Sequence, residues 1–135
     1  MALNDTLSNA LSHMQNSEKV GKAICIIRPS SKLIVSVLEV LKQHNYIKDY
    51  TIQEIKKGGI IEVHLNGNIN KCGAIKPRFP VNLNDYEKYE KRYLPAKDFG
   101  TIIVSTTQGV MDYNQAKEKK LGGRLIAYCY WKWQN

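Results

Sequence analysis

The stretch that decides the fold covers residues 101–131 and reads TIIVSTTQGVMDYNQAKEKKLGGRLIAYCYW. Its first four residues form a β-branched run typical of a buried strand, and residues 125–131 are a second apolar strand. Between them, Asp112 is placed to cap a helix, with Gln115 at capping-box spacing, and Gly122 with Gly123 is placed to end it. The order strand, turn, helix, strand predicts two neighbouring parallel strands.

The turn after the first of these strands carries three hydroxyls and one amide, followed by a glycine. It consists of Ser105, Thr106, Thr107, Gln108 and Gly109. None of these side chains is charged, and hydroxyls and amides both donate and accept hydrogen bonds. Such a row suits the 2′-hydroxyls and base edges of unpaired RNA better than a phosphate alone. Taken by itself, the turn more often indicates an ordinary polar connection into a capped helix.

The composition indicates a small globular chain with an anionic partner. Its 135 residues are enough for one compact unit or two small subdomains. Twenty Lys and Arg against twelve Asp and Glu give a net charge of +8, which favours nucleic acid or an anionic membrane face. No apolar run reaches the roughly 18 residues of a membrane span, and the N-terminal residues lack signal-peptide features. We therefore expect no membrane partner.

The cysteines and histidines predict neither a metal site nor catalysis. Cys25, Cys72 and Cys129 are widely spaced beside apolar or glycine neighbours, which indicates reduced, buried thiols of an intracellular protein. No C-x-x-C or H-x-x-x-H pair is present, so we expect no zinc and no cofactor. The three histidines accompany no nucleophile elbow, so we expect no enzyme.

Residues 1–66 predict an αβαββ subdomain. A helix capped near Asn4 should end at residues 15–17, and a strand follows at residues 23–27. A second helix over residues 32–44 has Ser30 or Ser31 as its cap, and Asn45 can close it. Strands at residues 49–55 and 61–65, joined by a hairpin turn at residues 56–59, complete a three-stranded sheet covered by the two helices.

Residues 67–135 predict a β-rich subdomain, which begins at the turn-forming residues 66–68. A strand at residues 71–75 precedes a stiff basic loop at residues 76–80, where two prolines exclude a central strand. A polar helix over residues 86–93 should be held loosely on the surface. At the end, Trp131, Lys132 and Trp133 are either a docking tail for RNA or protein, or Trp131 completes the core and Trp133 frays. The fold class is α+β.

The order of residues 105–128 resembles the C-terminal signature of small-subunit ribosomal protein eight, a universal family. That family shows Ser-Thr-Ser-x-Gly-x-Met, a helix, Gly-Gly-x-Leu and an aromatic ending. Residues 105–111 follow the pattern except at Thr107, which keeps the hydroxyl, and the likeness extends over nearly the whole chain. Residues 70–79, Leu94 with Pro95, and Phe99 with Gly100 are similar to the archaeal and eukaryotic branch. Cys72 leans towards the eukaryotic cytosolic members.

The resemblance implies two subdomains and binding to a central-domain helix and junction of small-subunit rRNA during assembly. It implies a cytoplasmic, ribosomal location, with rRNA and neighbouring small-subunit ribosomal proteins as partners and no small-molecule substrate. The resemblance implies that the family's loop contacts with RNA correspond to the hydroxyl turn, its basic contacts with the RNA backbone to lysines and arginines in loops, and its first-helix contacts to an amide pair. The candidate RNA-binding residues are Gln15, Asn16, Arg28, Ser30, Lys32, Lys71, Lys76, Arg78, Ser105, Thr106, Thr107, Gln108 and Gly109.

The sequence therefore predicts a structural RNA-binding protein without catalytic turnover. Its cations supply salt-sensitive affinity, and the uncharged turn supplies selectivity for a distorted, unpaired site. Arg28 and Lys32 flank a helix start that suits phosphate, although simple capping explains that start equally well. The alternatives are a free-standing RNA-binding regulator outside the ribosome and a small enzyme that uses the Ser/Thr turn as nucleophile or phosphate cradle.

Overall fold

A computed structural model describes residues 6–28, 30–53, 59–96 and 99–131. The helices are α1 (Thr6–Lys19), α2 (Lys32–Gln43), α3 (Tyr86–Tyr93) and α4 (Tyr113–Glu118). The strands are β1 (Ile24–Ile27), β2 (Ile47–Gln53), β3 (Ile60–Leu65), β4 (Ile69–Ala74), β5 (Pro80–Val81), β6 (Thr101–Thr106), β7 (Gly109–Asp112) and β8 (Gly123–Trp131). Helices combined with antiparallel sheets confirm the predicted α+β class.

The N-terminal part follows the predicted αβαββ order. Its sheet has the strand order β1-β3-β2, with antiparallel pairing throughout. The hydroxyl of Ser31 accepts a hydrogen bond from the backbone N–H of Ile34 at 3.2 Å and caps α2, while Asn45 takes φ 63° just after the helix. Helix α1 continues past its predicted end to Lys19, because Glu18 is buried and accepts a hydrogen bond from the second sheet. Most of the hairpin turn predicted at residues 56–59 lies outside the described residues.

The second sheet overturns the predicted parallel pairing. Its order is β4-β8-β6-β7, with β5 beside β8, and β6 pairs antiparallel with both β7 and β8. The reason is that Val110 and Met111 continue the chain as strand β7 instead of leading directly into a helix. Since β7 and β8 both oppose β6, they run parallel to each other, joined by α4, with β6 between them.

The glycine pair has a different role from the one predicted. Helix α4 ends at Glu118, and Lys120 takes the left-handed conformation at φ 57°, so Gly122 and Gly123 do not end the helix. A Cβ at Gly122 would lie 2.5 Å from the carbonyl oxygen of Val81, and one at Gly123 would lie 2.2 Å from that of Ser105. The pair is therefore required for close approach of β8 to its neighbours.

Two apolar clusters lie on opposite faces of the second sheet. Ile103 belongs to a cluster shared with α1, α2 and the first sheet, whereas its neighbours Ile102 and Val104 belong to a cluster with α3 and α4. The expectation that α3 is loosely held is wrong, because Tyr86 and Glu90 are buried there. The two sheets separate at residues 66–68, but the first cluster spans both, so the division into subdomains stays a prediction. The three cysteines are buried and free, as predicted.

Candidate nucleic-acid interface

The hydroxyl turn is the tip of the β6–β7 hairpin. Thr106 pairs with Gly109, and Thr107 with Gln108 connects the strands. The hydroxyl of Thr106 donates to the carbonyl oxygen of Gly109 at 2.8 Å and accepts from the N–H of Gln108 at 3.1 Å. Gly109 takes φ 115°, which strongly favours glycine. Thr106 therefore shapes the turn, while Thr107 and Gln108 are exposed at its tip.

An arginine that the sequence reading missed lies at the base of this hairpin. Arg124 is opposite Ser105 on one side of β8 and opposite Pro80 on the other. Its Nη1 donates to the carbonyl oxygen of Arg78 at 3.2 Å, so two exposed arginines lie together beside the hydroxyl turn. The sequence feature that could have indicated this arginine is its position directly after the glycine pair Gly122 and Gly123. Lys76, in the preceding loop, is also exposed.

The hairpin extends towards the start of α2. Asp112, at the end of β7, bonds His44 at the end of α2, with 3.0 Å between Oδ2 and Nε2. Strand β7 packs along α2, and Val110 lines a shallow depression with helix residues that begin at Val35. The chain from Asp112 back to Gly109 therefore runs from the end of α2 towards its beginning. This direction places the hydroxyl turn on the side of the molecule where α2 starts.

The start of α2 carries three of the candidate residues. Arg28 and Lys32 are exposed, whereas Ser30 is half-buried and its N–H donates to the carbonyl oxygen of Gly59 at 3.4 Å. Ser31, not Ser30, supplies the cap. Capping thus accounts for the helix start, and phosphate binding by Arg28 and Lys32 stays a prediction.

The remaining candidates lie where α1 meets β4. The side-chain oxygen of Gln15 accepts a hydrogen bond from the N–H of Cys72 at 3.2 Å, so this amide holds α1 on β4. Asn16 is exposed nearby, and Lys71, which precedes Cys72 in β4, is exposed on the other face of that strand. The candidate residues thus form separate groups: the hairpin with Arg78, the start of α2, and the contact of α1 with β4.

The electrostatics of these surfaces favour an anion. Among the described residues, no carboxylate pairs with the exposed cations Arg28, Lys32, Lys71, Arg78 and Arg124. That part of the chain also holds no cluster of three or more His, Cys, Asp or Glu that could bind a metal ion. None of its helices has the length and apolar character needed to cross a bilayer.

The carboxylate of Asp112 anchors the hairpin to the rest of the fold. Burial alone would raise its pKa, but hydrogen bonds from the side chain of His44 and from the backbone N–H of Gln115 and Asn114 lower the pKa below its ordinary value. The Gln115 bond, at 2.9 Å, is the N-cap predicted for α4. An ionised Asp112 therefore holds β7, α2 and α4 together.

Trp131 packs on the core. Its ring stacks on the buried Tyr46, with centroids 4.8 Å apart and planes 13° from parallel, and Phe99 meets it edge-on at 6.4 Å. This arrangement agrees with the alternative in which Trp131 completes the core. Lys132 and Trp133 lie outside the described residues.

A small α+β chain with exposed cations around an exposed, uncharged hairpin tip has the surface of a nucleic-acid-binding protein. The family model of Ribosomal protein S8 matches residues 5–130, and the chain belongs to this family. It is 55% identical over 126 residues to the small ribosomal subunit protein uS8 of Archaeoglobus fulgidus, an alignment that covers 93% of this chain and 98% of the archaeal protein.

Proposed function

We propose that this protein is a structural constituent of the small ribosomal subunit, where it binds small-subunit rRNA at a central-domain helix and junction and supports RNA folding. The observation that carries the proposal is the exposed, uncharged tip formed by Thr107 and Gln108, with Arg78 and Arg124 beside its base. Family membership over residues 5–130 supports it. The proposed partners are that rRNA and neighbouring small-subunit proteins, in the cytoplasm. No catalytic step is involved.

The tip and the arginines divide the work of binding. Arg78 and Arg124 displace counterions from RNA phosphates, a term that depends on salt but not on sequence. The hydroxyl and amide at the tip exchange hydrogen bonds with base edges and 2′-hydroxyls that only an irregular, unpaired region presents. Thr106 is excluded from much of this exchange, because its hydroxyl is used inside the turn.

Salt titrations of two variants test this division. Thr107→Ala should weaken binding to a fragment of the central-domain rRNA with little change in the slope of log affinity against log salt. Arg78→Ala should flatten that slope by up to about one unit for each phosphate that the arginine neutralises. Lys48→Ala, an exposed cation on β2, is the matched control and should leave the slope unchanged. Equal salt dependence for Thr107→Ala and Arg78→Ala would contradict the assignment.

We propose that the chain belongs to the archaeal and eukaryotic branch of the family; a relative 55% identical to it that comes from an archaeon supports this proposal. The lean towards the eukaryotic cytosolic members depends on Cys72 and stays a prediction. The alternative of a free-standing RNA-binding regulator makes a distinct prediction, because such a protein would sediment in light fractions instead of with ribosomal particles.

A further inference from the structure

A second surface feature lies at the far end of β8 from the hairpin. It is an open depression of about 400 Å³, within the range of roughly 300 to 1,000 Å³ typical of ligand pockets. Its lining residues are Lys71, Arg92, Tyr93, Leu94, Pro95, Tyr128 and Tyr130. Tyr130 lies six positions along β8 from Arg124, which corresponds to roughly 20 Å along a strand. The depression is therefore separate from the hydroxyl turn.

Three tyrosine rings form one wall of this depression. The rings of Tyr128 and Tyr130 are stacked, 6.5 Å apart with planes at 23°. Tyr93 from α3 meets Tyr128 at 5.4 Å and 30°. The ring of Tyr128 lies across β4 directly over Gly73, where an added Cβ would come within 3.1 Å of the phenolic oxygen. Gly73 therefore allows this aromatic wall to form.

Two cations stand at the rim of the depression. Arg92 is exposed, with its guanidinium 5.6 Å from the ring centroid of Tyr93 and 5.2 Å from that of Phe79, which holds it by cation–π contact. Lys71 is exposed on β4, opposite Tyr130 in the sheet register. Burial raises the pKa of Tyr128, while the charge and hydrogen bond of Lys71 lower it, so the lysine reaches that phenol. No acidic side chain is among the described residues of the lining.

We propose that this depression binds one unpaired nucleotide of RNA, with its base stacked on the tyrosine wall and the adjoining phosphates beside Lys71 and Arg92. Aromatic rings stack on any base, because every base has a π-face, and flanking cations follow the backbone on both sides. Because an RNA chain has a phosphate before and after each base, a cation on each of two elements, Lys71 on β4 and Arg92 on α3, matches a nucleotide within a longer RNA. The proposal rests on the RNA-binding function above and adds a second contact to it.

Fluorescence anisotropy with the full chain and a labelled short oligouridylate tests this site. Tyr130→Leu should weaken binding about tenfold or more, a change that corresponds to about 1.4 kcal/mol and falls within the range for base–aromatic stacking. Tyr130→Phe should keep the affinity, since stacking does not need the phenol. Tyr50→Leu, the same type of change in the first sheet, is the matched control and should have no effect.

Two further variants guard against a folding artefact at Tyr130. Lys71→Ala and Arg92→Ala change exposed side chains, and each should weaken oligouridylate binding and flatten its salt dependence. Wild-type affinity in Tyr130→Leu and in both cation variants would overturn the proposal. If Tyr130→Leu keeps its RNA affinity but fails to join small subunits, the depression binds a protein partner instead. If the wild-type protein binds uridine monophosphate as tightly as it binds oligouridylate, the depression binds a free nucleotide instead.

Failure of this site can be told apart from failure of the proposed function. Thr107→Ala is measured in parallel on the central-domain rRNA fragment. If Thr107→Ala weakens that complex while Tyr130→Leu weakens neither RNA, the second contact is wrong and the proposed function stands. If the wild-type protein does not distinguish the fragment from unrelated RNA, the proposed function is wrong.

Discussion

Substituting Gly123 by alanine should damage both the stability of the fold and its RNA affinity. The new Cβ would lie 2.2 Å from the carbonyl oxygen of Ser105 and 3.1 Å from Cγ1 of Val104. Ordinary contact begins near 3.4 Å, so β8 and β6 must separate by about the difference between 3.4 and 2.2 Å, or 1.2 Å. Such a shift breaks one or two ladder hydrogen bonds at about 0.5–1.5 kcal/mol each, which gives a loss of about 0.5–3 kcal/mol in the free energy of unfolding. It also displaces Arg124, which pairs with Ser105.

Urea unfolding and anisotropy on the rRNA fragment measure the two effects separately. Gly67→Ala is the matched control, because Gly67 takes φ 81° and has no atom within 4 Å of its added Cβ. Its cost is backbone strain of about 1–2 kcal/mol, far from the hairpin. The control should therefore lose stability but keep its RNA affinity. If Gly123→Ala and Gly67→Ala bind the fragment equally well, close approach at Gly123 does not position the RNA-binding surface.

Two further substitutions test how the hairpin and α3 are held. The folded-state pKa of Asp112 is lowered, so the contribution of its carboxylate to stability is present above the unfolded pKa of about 3.9 and is lost as the pH falls through the folded pKa. The difference in unfolding free energy between wild type and Asp112→Asn should therefore shrink between about pH 5 and pH 2. A difference that stays constant over this range would contradict the role of Asp112. The phenol of Tyr113 donates a hydrogen bond to the buried carboxylate of Glu90. Because Tyr113→Phe removes that donor, it should lower the free energy of unfolding in urea by about 1–3 kcal/mol. An unchanged urea midpoint would refute the role of this hydrogen bond in holding α3.

The helices and most strands could be predicted because their signals are local. Apolar residues at helical spacing and a serine cap define α2, and the N-cap at Asp112 is visible from its distance to Gln115. Alternation of apolar and polar residues defines β3, whose burial alternates in the same way. Each signal depends on residues within one or two turns of each other.

Long-range pairing could not be predicted from the same signals. Strand β7 has only four residues, too few for a clear period, so the chain after Gly109 looked like the approach to a helix. That single omission reversed the predicted direction of β8 relative to β6. The burial of α3 was missed for another reason: its buried residues are tyrosines and a glutamate, whose polar groups find partners only in the folded chain.

The exposure of the candidate site could be predicted from the sequence only in part. The hydroxyl turn is exposed at a hairpin tip, as RNA contact requires, but the sequence could not show that Thr106 is used within the turn. Arg124 could not be predicted as a site residue because its position beside the hydroxyl turn depends on the sheet. The sheet brings Pro80 and Ser105, which are distant in the chain, to the two sides of this arginine.

The contact of α1 with β4 covers an edge of the second sheet. Strand β4 is at the border of its sheet, and the side chains of Gln15 and Glu18 take the outward amides of Cys72 and Ile69. A border strand with unoccupied amides is a template for another chain. Helix α1 of the N-terminal part thus covers the edge strand of the second sheet. We expect that cleavage of the chain near Gly67 would expose the backbone amides of β4, and that the released C-terminal fragment would self-associate through this edge strand.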